Sequence, residues 1–254
     1  MLRSVQDLLS CSVTCPDGDL GKVDQIYFDV HRWRVRYLVI DTSAWGYGQK
    51  IWLLPCCIHQ LDFDSNVVRL NLEQQKMLAS PAIDMLEPIS RLQEGKLVNY
   101  YGCKPYWEET DAQCASRYPS GAIDPTACGE PEAHARMTLH TNTVNSKVHL
   151  LSTGQAGGYT IEAEDRPIGR IRDFVFEDET WLIRYLTIDT HEWWQSESDV
   201  LLPTDSIDGV DPVDSTISTM LTREAIQHSP VYLDYVPLRR MYETQLHKVR
   251  GGEA

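Results

Sequence analysis

The sequence predicts a mainly β protein, built as two small antiparallel barrels in tandem, each followed by short helical segments. Three observations carry this. The chain repeats itself: displaced by 148 positions, residues 17–55 align with 165–203 without a gap, and 14 of the 39 pairs are identical. Unrelated sequences of ordinary composition would match at roughly two or three. An internal repeat of this kind fixes the architecture before any other reading. Within each copy, short runs rich in β-branched and aromatic residues are separated by polar turns. Strands and long helical patterns do not alternate, which argues against a parallel sheet.

In the first copy, Gly21 to Asp29 reads as a strand opened by the Asp17-Gly18-Asp19 turn. Val30-His31-Arg32 connects it to a second strand from Trp33 to Asp41, so the two form a hairpin. Ser43 to Gly48 is a loop, Ile51 to Leu54 a third strand closed by Pro55, and Val67 to Leu72 a further strand. Glu73 to Leu78 predicts one or two helical turns stopped at Ser80-Pro81. The second copy repeats the plan. Gly169 to Glu177 and Trp181 to Asp189 form its hairpin, Val200 to Leu202 precedes Pro203, and Thr216 to Leu221 leads to a helical turn with Thr222 as N-cap. Matches continue past each copy at Pro88/Pro237, Arg91/Arg240 and Glu94/Glu243, predicting a short closing helix in each. The expected domains are 1–99 and 149–254. Residues 100–148 form a linker, aromatic at its start and then punctuated by Pro and Gly, with no periodicity.

The formal net charge is −14. Residues 1–147 carry 14 basic and 18 acidic side chains, and residues 148–254 carry 9 and 19, so both halves repel a phosphate backbone. Nucleic acid is therefore excluded as the expected partner. The first fifteen residues lack the apolar core of a secretory signal, and no run approaches the ~18 apolar residues of a membrane span. The expected location is the cytoplasm. The seven cysteines all fall in the first copy or the linker. The second copy has Tyr159, Ala163, Thr204 and Asp205 where the first has Cys11, Cys15, Cys56 and Cys57, so the fold does not depend on cysteine.

One stretch stands in both copies. It is Arg36-Tyr37-Leu38-Val39-Ile40-Asp41-Thr42 with Leu53-Leu54-Pro55, and again Arg184-Tyr185-Leu186-Thr187-Ile188-Asp189-Thr190 with Leu201-Leu202-Pro203. Preceded by a Gly-basic-aliphatic step and an aromatic-acidic hairpin, it resembles the PRC-barrel domain. That family includes the barrel of the photosynthetic reaction centre H subunit and that of a ribosome maturation factor. Asn99-Tyr100-Tyr101-Gly102 is similar to tandem bacterial members. The resemblance implies a six-stranded β-barrel used as a scaffold or protein-binding module, without shared catalytic residues. Neither photosynthesis nor ribosome assembly carries over, since the companion segments of those proteins have no match here.

Each candidate chemistry has a plainer structural counterpart. Asp41-Thr42 and Asp189-Thr190, one per half, look like the two lobes of an aspartic protease, which needs two carboxylates sharing a proton. Such a site also needs a small residue after Asp-Thr, and His191 follows in the second copy. The simpler expectation is that each Asp caps the next turn or pairs with Arg36 or Arg184. Both arginines, mid-strand in apolar runs, are expected in structural salt bridges rather than an anion site. Cys11, Cys15, Cys56, Cys57 and His59 could supply zinc ligands, but their spacing is loose and Cys56 and Cys57 should point to opposite faces. Asp205, Asp208, Asp211 and Asp214 recur every third residue without the pattern of a calcium loop. No HExxH, GxSxG, phosphate loop or dinucleotide fingerprint is present.

The expectation is a non-catalytic scaffold or adaptor without a cofactor, binding an unknown protein partner or a second copy of itself. Its candidate interface residues are Tyr47, Trp194, Tyr100, Tyr101, Tyr106 and Trp107. The alternative is a small-ligand or metal sensor using the cysteine-bearing first copy, and a hydrolase of aspartic type ranks last.

Overall fold

The computed structural model describes residues 1–83, 89–108, 150–191 and 199–227. Trp193, Trp194, most of the 100–148 segment and everything after Gln227 lie outside them. The chain divides into two compact units, Met1–Ala82 with His149–Ala254, and Ile83–Val148. Both copies of the repeat therefore belong to the first unit.

The first copy runs β1 (Leu2–Ser4), α1 (Val5–Leu8), β2 (Ser12–Cys15), β3 (Gly18–Asp29), β4 (Arg34–Asp41), β5 (Lys50–Leu53), β6 (Ile58–Asp62), β7 (Val67–Leu70) and α2 (Gln74–Leu78). The second unit contributes α3 (Arg91–Tyr101). The second copy runs β8 (Leu150–Ser152), α4 (Thr153–Ala156), β9 (Thr160–Glu162), β10 (Pro167–Glu177), β11 (Ile183–Asp189), β12 (Val200–Pro203), β13 (Ile207–Asp211), β14 (Thr216–Thr219) and α5 (Arg223–Gln227). The hairpins, the strands that run up to Pro55 and Pro203, and the short helices after β7 and β14 stand where the sequence places them. Thr222 caps α5, its Oγ1 accepting from the Ala225 N–H at 3.3 Å.

Each copy forms a seven-stranded sheet, ordered β5-β4-β3-β2-β7-β6 in the first and β12-β11-β10-β9-β14-β13 in the second. Two expectations are corrected here. Neither sheet closes into a barrel: among the described residues β5 does not pair with β6, nor β12 with β13. The sheets are also not wholly antiparallel, since β2–β7 and β9–β14 pair parallel. The opening has a local cause. After β5 the chain enters a 3-10 turn at Pro55–Cys57, whose last amide bonds back to the Leu54 carbonyl at 3.0 Å. Proline brings no N–H to a ladder, so the corner uses its hydrogen bonds on itself. Pro203 and the turn Thr204–Ser206 repeat the device.

The seventh strand of each sheet comes from the other copy. β1 pairs antiparallel with the end of β10, and β8 pairs antiparallel with the end of β3. The long β3 thus carries its own β2 along Gly18–Lys22 and the second copy's β8 along Tyr27–Asp29. The two opening segments are themselves part of the repeat, with Leu2/Leu150 and Ser4/Ser152 identical at the same displacement. Each serine caps the helical turn that follows, accepting from the Gln6 and Gln155 amides at 3.0 Å.

Gly21 and Gly169 are identical in the two copies for a steric reason. A Cβ at Gly21 would stand 2.3 Å from the Asp41 carbonyl oxygen, and one at Gly169 would stand 2.5 Å from that of Asp189. Only glycine lets the first and second hairpin strands approach so closely.

In the second unit, Ser90 and Gln93 form a reciprocal capping box that starts α3, and Gly102 ends it at φ +70°. Glu94, fully buried, accepts from the Tyr106 hydroxyl at 2.8 Å and pairs with Arg91 at 3.0 Å. Tyr106 and Trp107 thus hold the first turn of α3, with the Arg91 guanidinium 4.6 Å from the Trp107 ring centroid. Burial and the Glu94 carboxylate push the Tyr106 phenol well above its ordinary range.

Candidate functional site

The feature that the two halves of the chain share most closely is the hairpin, and its turn carries the most specific geometry. Asp29 ends β3. Its Oδ1 accepts from the His31 and Arg32 amides at 2.9 and 3.2 Å, and its Oδ2 pairs with Arg36 at 3.2 Å. Both side chains of that pair are under a tenth exposed. In the second copy Glu177 takes the same place, accepting from Thr180 Oγ1 at 2.6 Å and pairing with Arg184 at 2.9 Å. Arg184 and the hydroxyl of Thr180 hold the Glu177 carboxyl below its usual range, against the upward pull of burial. Arg36 and Arg184 are thus fixed by the acid one hairpin away, not by Asp41 or Asp189.

The turn delivers Trp33 and Trp181 in left-handed backbone, at φ +49° and +61°. That conformation costs a bulky residue about 1 kcal/mol or more and needs compensation. Stacking supplies part of it: Trp33 lies over Phe28 at 5.4 Å and Trp181 over Phe176 at 5.5 Å. The rest comes from the other copy. The Val35 amide donates to the Trp181 carbonyl at 2.8 Å, and the Ile183 amide donates to the Trp33 carbonyl at 2.6 Å. An antiparallel bridge joins Arg34 to Leu182, and Phe28 meets Phe174 across the junction at 5.4 Å. The sequence showed the two tryptophans as an identical pair. It did not show that they meet each other's hairpins.

Asp41 and Asp189 are placed far from this junction. Each lies seven residues past the Arg34–Leu182 bridge, and the strands are antiparallel there, so they diverge. At ~3.3 Å per residue each is about 23 Å of strand from the junction, on opposite sides. They cannot share a proton. Each instead caps its own turn: Asp41 Oδ1 accepts from the Ser43 amide at 2.8 Å, and Asp189 Oδ1 from the His191 amide at 3.0 Å. Ser43 draws the Asp41 carboxyl below its usual range. Thr42 and Thr190 beside them are fully buried, and Thr42 Oγ1 donates to the Gln49 carbonyl at 2.6 Å.

The other candidates are scattered. Cys11, Cys15 and Cys57 are buried free thiols. Burial pushes Cys15 and Cys57 up to about 11, so both stay protonated at neutral pH. The sulfurs of Cys56 and Cys57 are 4.0 Å apart, but Cys11, Cys15 and the exposed His59 do not join them within ligating distance. Asp211 is spent on a turn, its Oδ1 accepting from the Val213 and Asp214 amides. Among the interface candidates, Tyr47 is exposed on the loop after β4 and Tyr101 is buried at the end of α3. Tyr100 is half-buried, and Tyr106 and Trp107 hold Arg91 and Glu94 as described.

One buried carboxylate escaped the sequence reading. Asp173 on β10 is 7% exposed, and Ser4 of the exchanged β1 donates its hydroxyl to Asp173 Oδ2. Burial, with a smaller push from Asp7, raises its carboxyl to about 6, although the Ser4 hydroxyl and the Phe174 and Gln6 amides pull it down. The first copy has Gln25 at this position, and that asymmetry was the signal available in the sequence.

Two open, mainly β sheets meet about a pseudo-twofold junction, and the polar residues their hairpins share are engaged in turns and ion pairs of the fold. In comparison with known families, the PRC-barrel domain matches residues 158–226, which is most of the second copy. No curated protein matches the chain. Among the described residues, no helix is long and apolar enough to cross a membrane.

Proposed function

We propose that this protein is a non-catalytic interaction scaffold made of two PRC-type domains, the first copy being a second member of the family matched at 158–226. The match carries the reading, because PRC-barrel domains generally mediate protein interactions. The internal repeat extends it to the first copy. The engagement of Arg36, Asp41, Thr42 and their counterparts in the fold fits it, since the residues common to both copies hold turns and strands together. Tyr47, exposed between two glycines of positive φ, is the surface residue on which the reading places a partner contact, together with Trp194 of the second copy. The partner is a protein, and the location is the cytoplasm.

The test is a crosslinked pull-down of the tagged full-length protein from its native cells, with cell fractionation alongside. One enriched protein, lost from the Tyr47→Ala, Trp194→Ala double variant that remains folded by circular dichroism, supports the reading. Recovery of the protein alone, or a peptidase activity lost in Asp41→Asn, counts against it.

A further inference from the structure

We infer that the two copies are each other's obligate binding partner: they form one cooperative folding unit through reciprocal strand exchange, and that interface is filled from within a single chain. The inference does not rest on the scaffold reading. Four observations made at different places converge on it. β1 completes the second sheet while β8 completes the first, each through three residue pairs. The Trp33 and Trp181 carbonyls each accept an amide of the other copy's hairpin. Phe28 and Phe174, both at most 2% exposed, make one apolar contact from two copies. Ser4 reaches across to the buried Asp173.

The strand exchange and the tryptophan carbonyl bonds are each repeated by their symmetry mates, as an isologous C2 interface requires. A self-complementary face normally joins two chains. Here both sides of the face lie on one polypeptide, so its occupant is the chain's own second half. Removing either copy would leave the other with a sheet edge uncovered at the end of its longest strand, and with Trp33 or Trp181 in a strained backbone that has lost its acceptor role. Exposed edges of that kind are sites of misassociation. Stability of the two copies must therefore be shared, contrary to what tandem independent domains would show.

The test is hydrogen exchange of the full-length chain, with the mass in solution measured alongside. The Val35 and Ile183 amides, which bond only across the junction, should exchange within about tenfold of Leu38 and Leu186 inside β4 and β11. Gly21→Ala, a substitution in the first copy alone, should accelerate exchange at Leu186 in the second copy as much as at Leu38. The protein should run as a monomer of 29.0 kDa. Exchange of Val35 and Ile183 more than a hundredfold faster than the strand interiors would overturn the inference. So would a Gly21→Ala effect confined to the first copy, or a dimer that dissociates with loss of protection at Val35 and Ile183. If Gly21→Ala does not fold at all, the wild-type comparison still decides, with Arg184→Ala as the milder substitution, placed in the second copy and read at Leu38.

Discussion

Replacing Asp173 by Asn removes a charge that the fold buries beneath its exchanged first strand. Asp173 is 7% exposed and its carboxyl is raised from 3.8 to about 6, chiefly by burial. A folded-state value above the unfolded one means that the native state binds the proton more tightly. Stability therefore falls as pH rises from about 4 to about 6, and the ionised form is penalised above that window. A carboxyl that titrates near 6 instead of 3.8 costs the folded state roughly 3 kcal/mol at neutral pH, at about 1.36 kcal/mol per pH unit. Asn is neutral and of nearly the same size, so it removes the buried charge without opening a cavity. Asp173→Asn should accordingly stabilise the protein at pH 7.5 by about 1–3 kcal/mol, with the advantage roughly halved at pH 5. Urea unfolding of wild type and variant at both pH values measures this, and taking the difference cancels the titration of the other acids. An advantage that is absent at pH 7.5, or that does not shrink at pH 5, refutes the reasoning: the carboxylate would then be adequately solvated or paired.

Further predictions concern the hairpins. Arg36→Ala leaves the buried Asp29 carboxylate without its cation and should destabilise by about 3–5 kcal/mol, whereas Arg184→Ala should cost about 1 kcal/mol or less. The difference follows from burial, since Arg184 and Glu177 are each more than a quarter exposed. Thermal and urea denaturation of both variants check the ranking, and equal losses would argue that the pairs, not their solvent exposure, set the energy. Trp33→Ala removes a buried indole stacked on Phe28 and should cost about 3–5 kcal/mol, read by the same denaturation series. Asp41→Asn and Asp189→Asn retain a side-chain acceptor for the Ser43 and His191 amides, so each should change stability by about 0.5 kcal/mol or less. A casein digest should show no peptidase activity in wild type for either variant to lose.

The repeat, its hairpins, the corner prolines and the short helices after the last strands were legible in the sequence because they rest on local chemistry. β-branched runs, a Gly-basic-aliphatic step, Pro55 and Pro203, and the Thr222 cap each act within a few residues. The turn-capping role of Asp41 and Asp189 was legible for the same reason. The short strands β2, β6, β9 and β13 were not, because three to five residues carry too little periodicity to stand out. Arg36 and Arg184 were recognised as structural, but their acidic partners were not, pairing with Asp41 and Asp189 standing only as an alternative to turn capping. The conservative swap Asp29/Glu177 marked the right one, and only the register of the hairpin brings it within reach.

By itself the sequence determined that the chain is mainly β, that it contains one plan twice, and that the shared polar residues serve the plan. The tertiary structure decided how the two copies relate. Backbone pairing between residues about 150 apart leaves no local signature, because any strand edge offers the same N–H and C=O groups. Leu2–Ser4 pairs with β10 of the other copy, a partner that no residue in its own neighbourhood specifies. The same holds for Asp173, whose burial follows from the exchanged strand laid against it and from nothing in its own sequence neighbourhood.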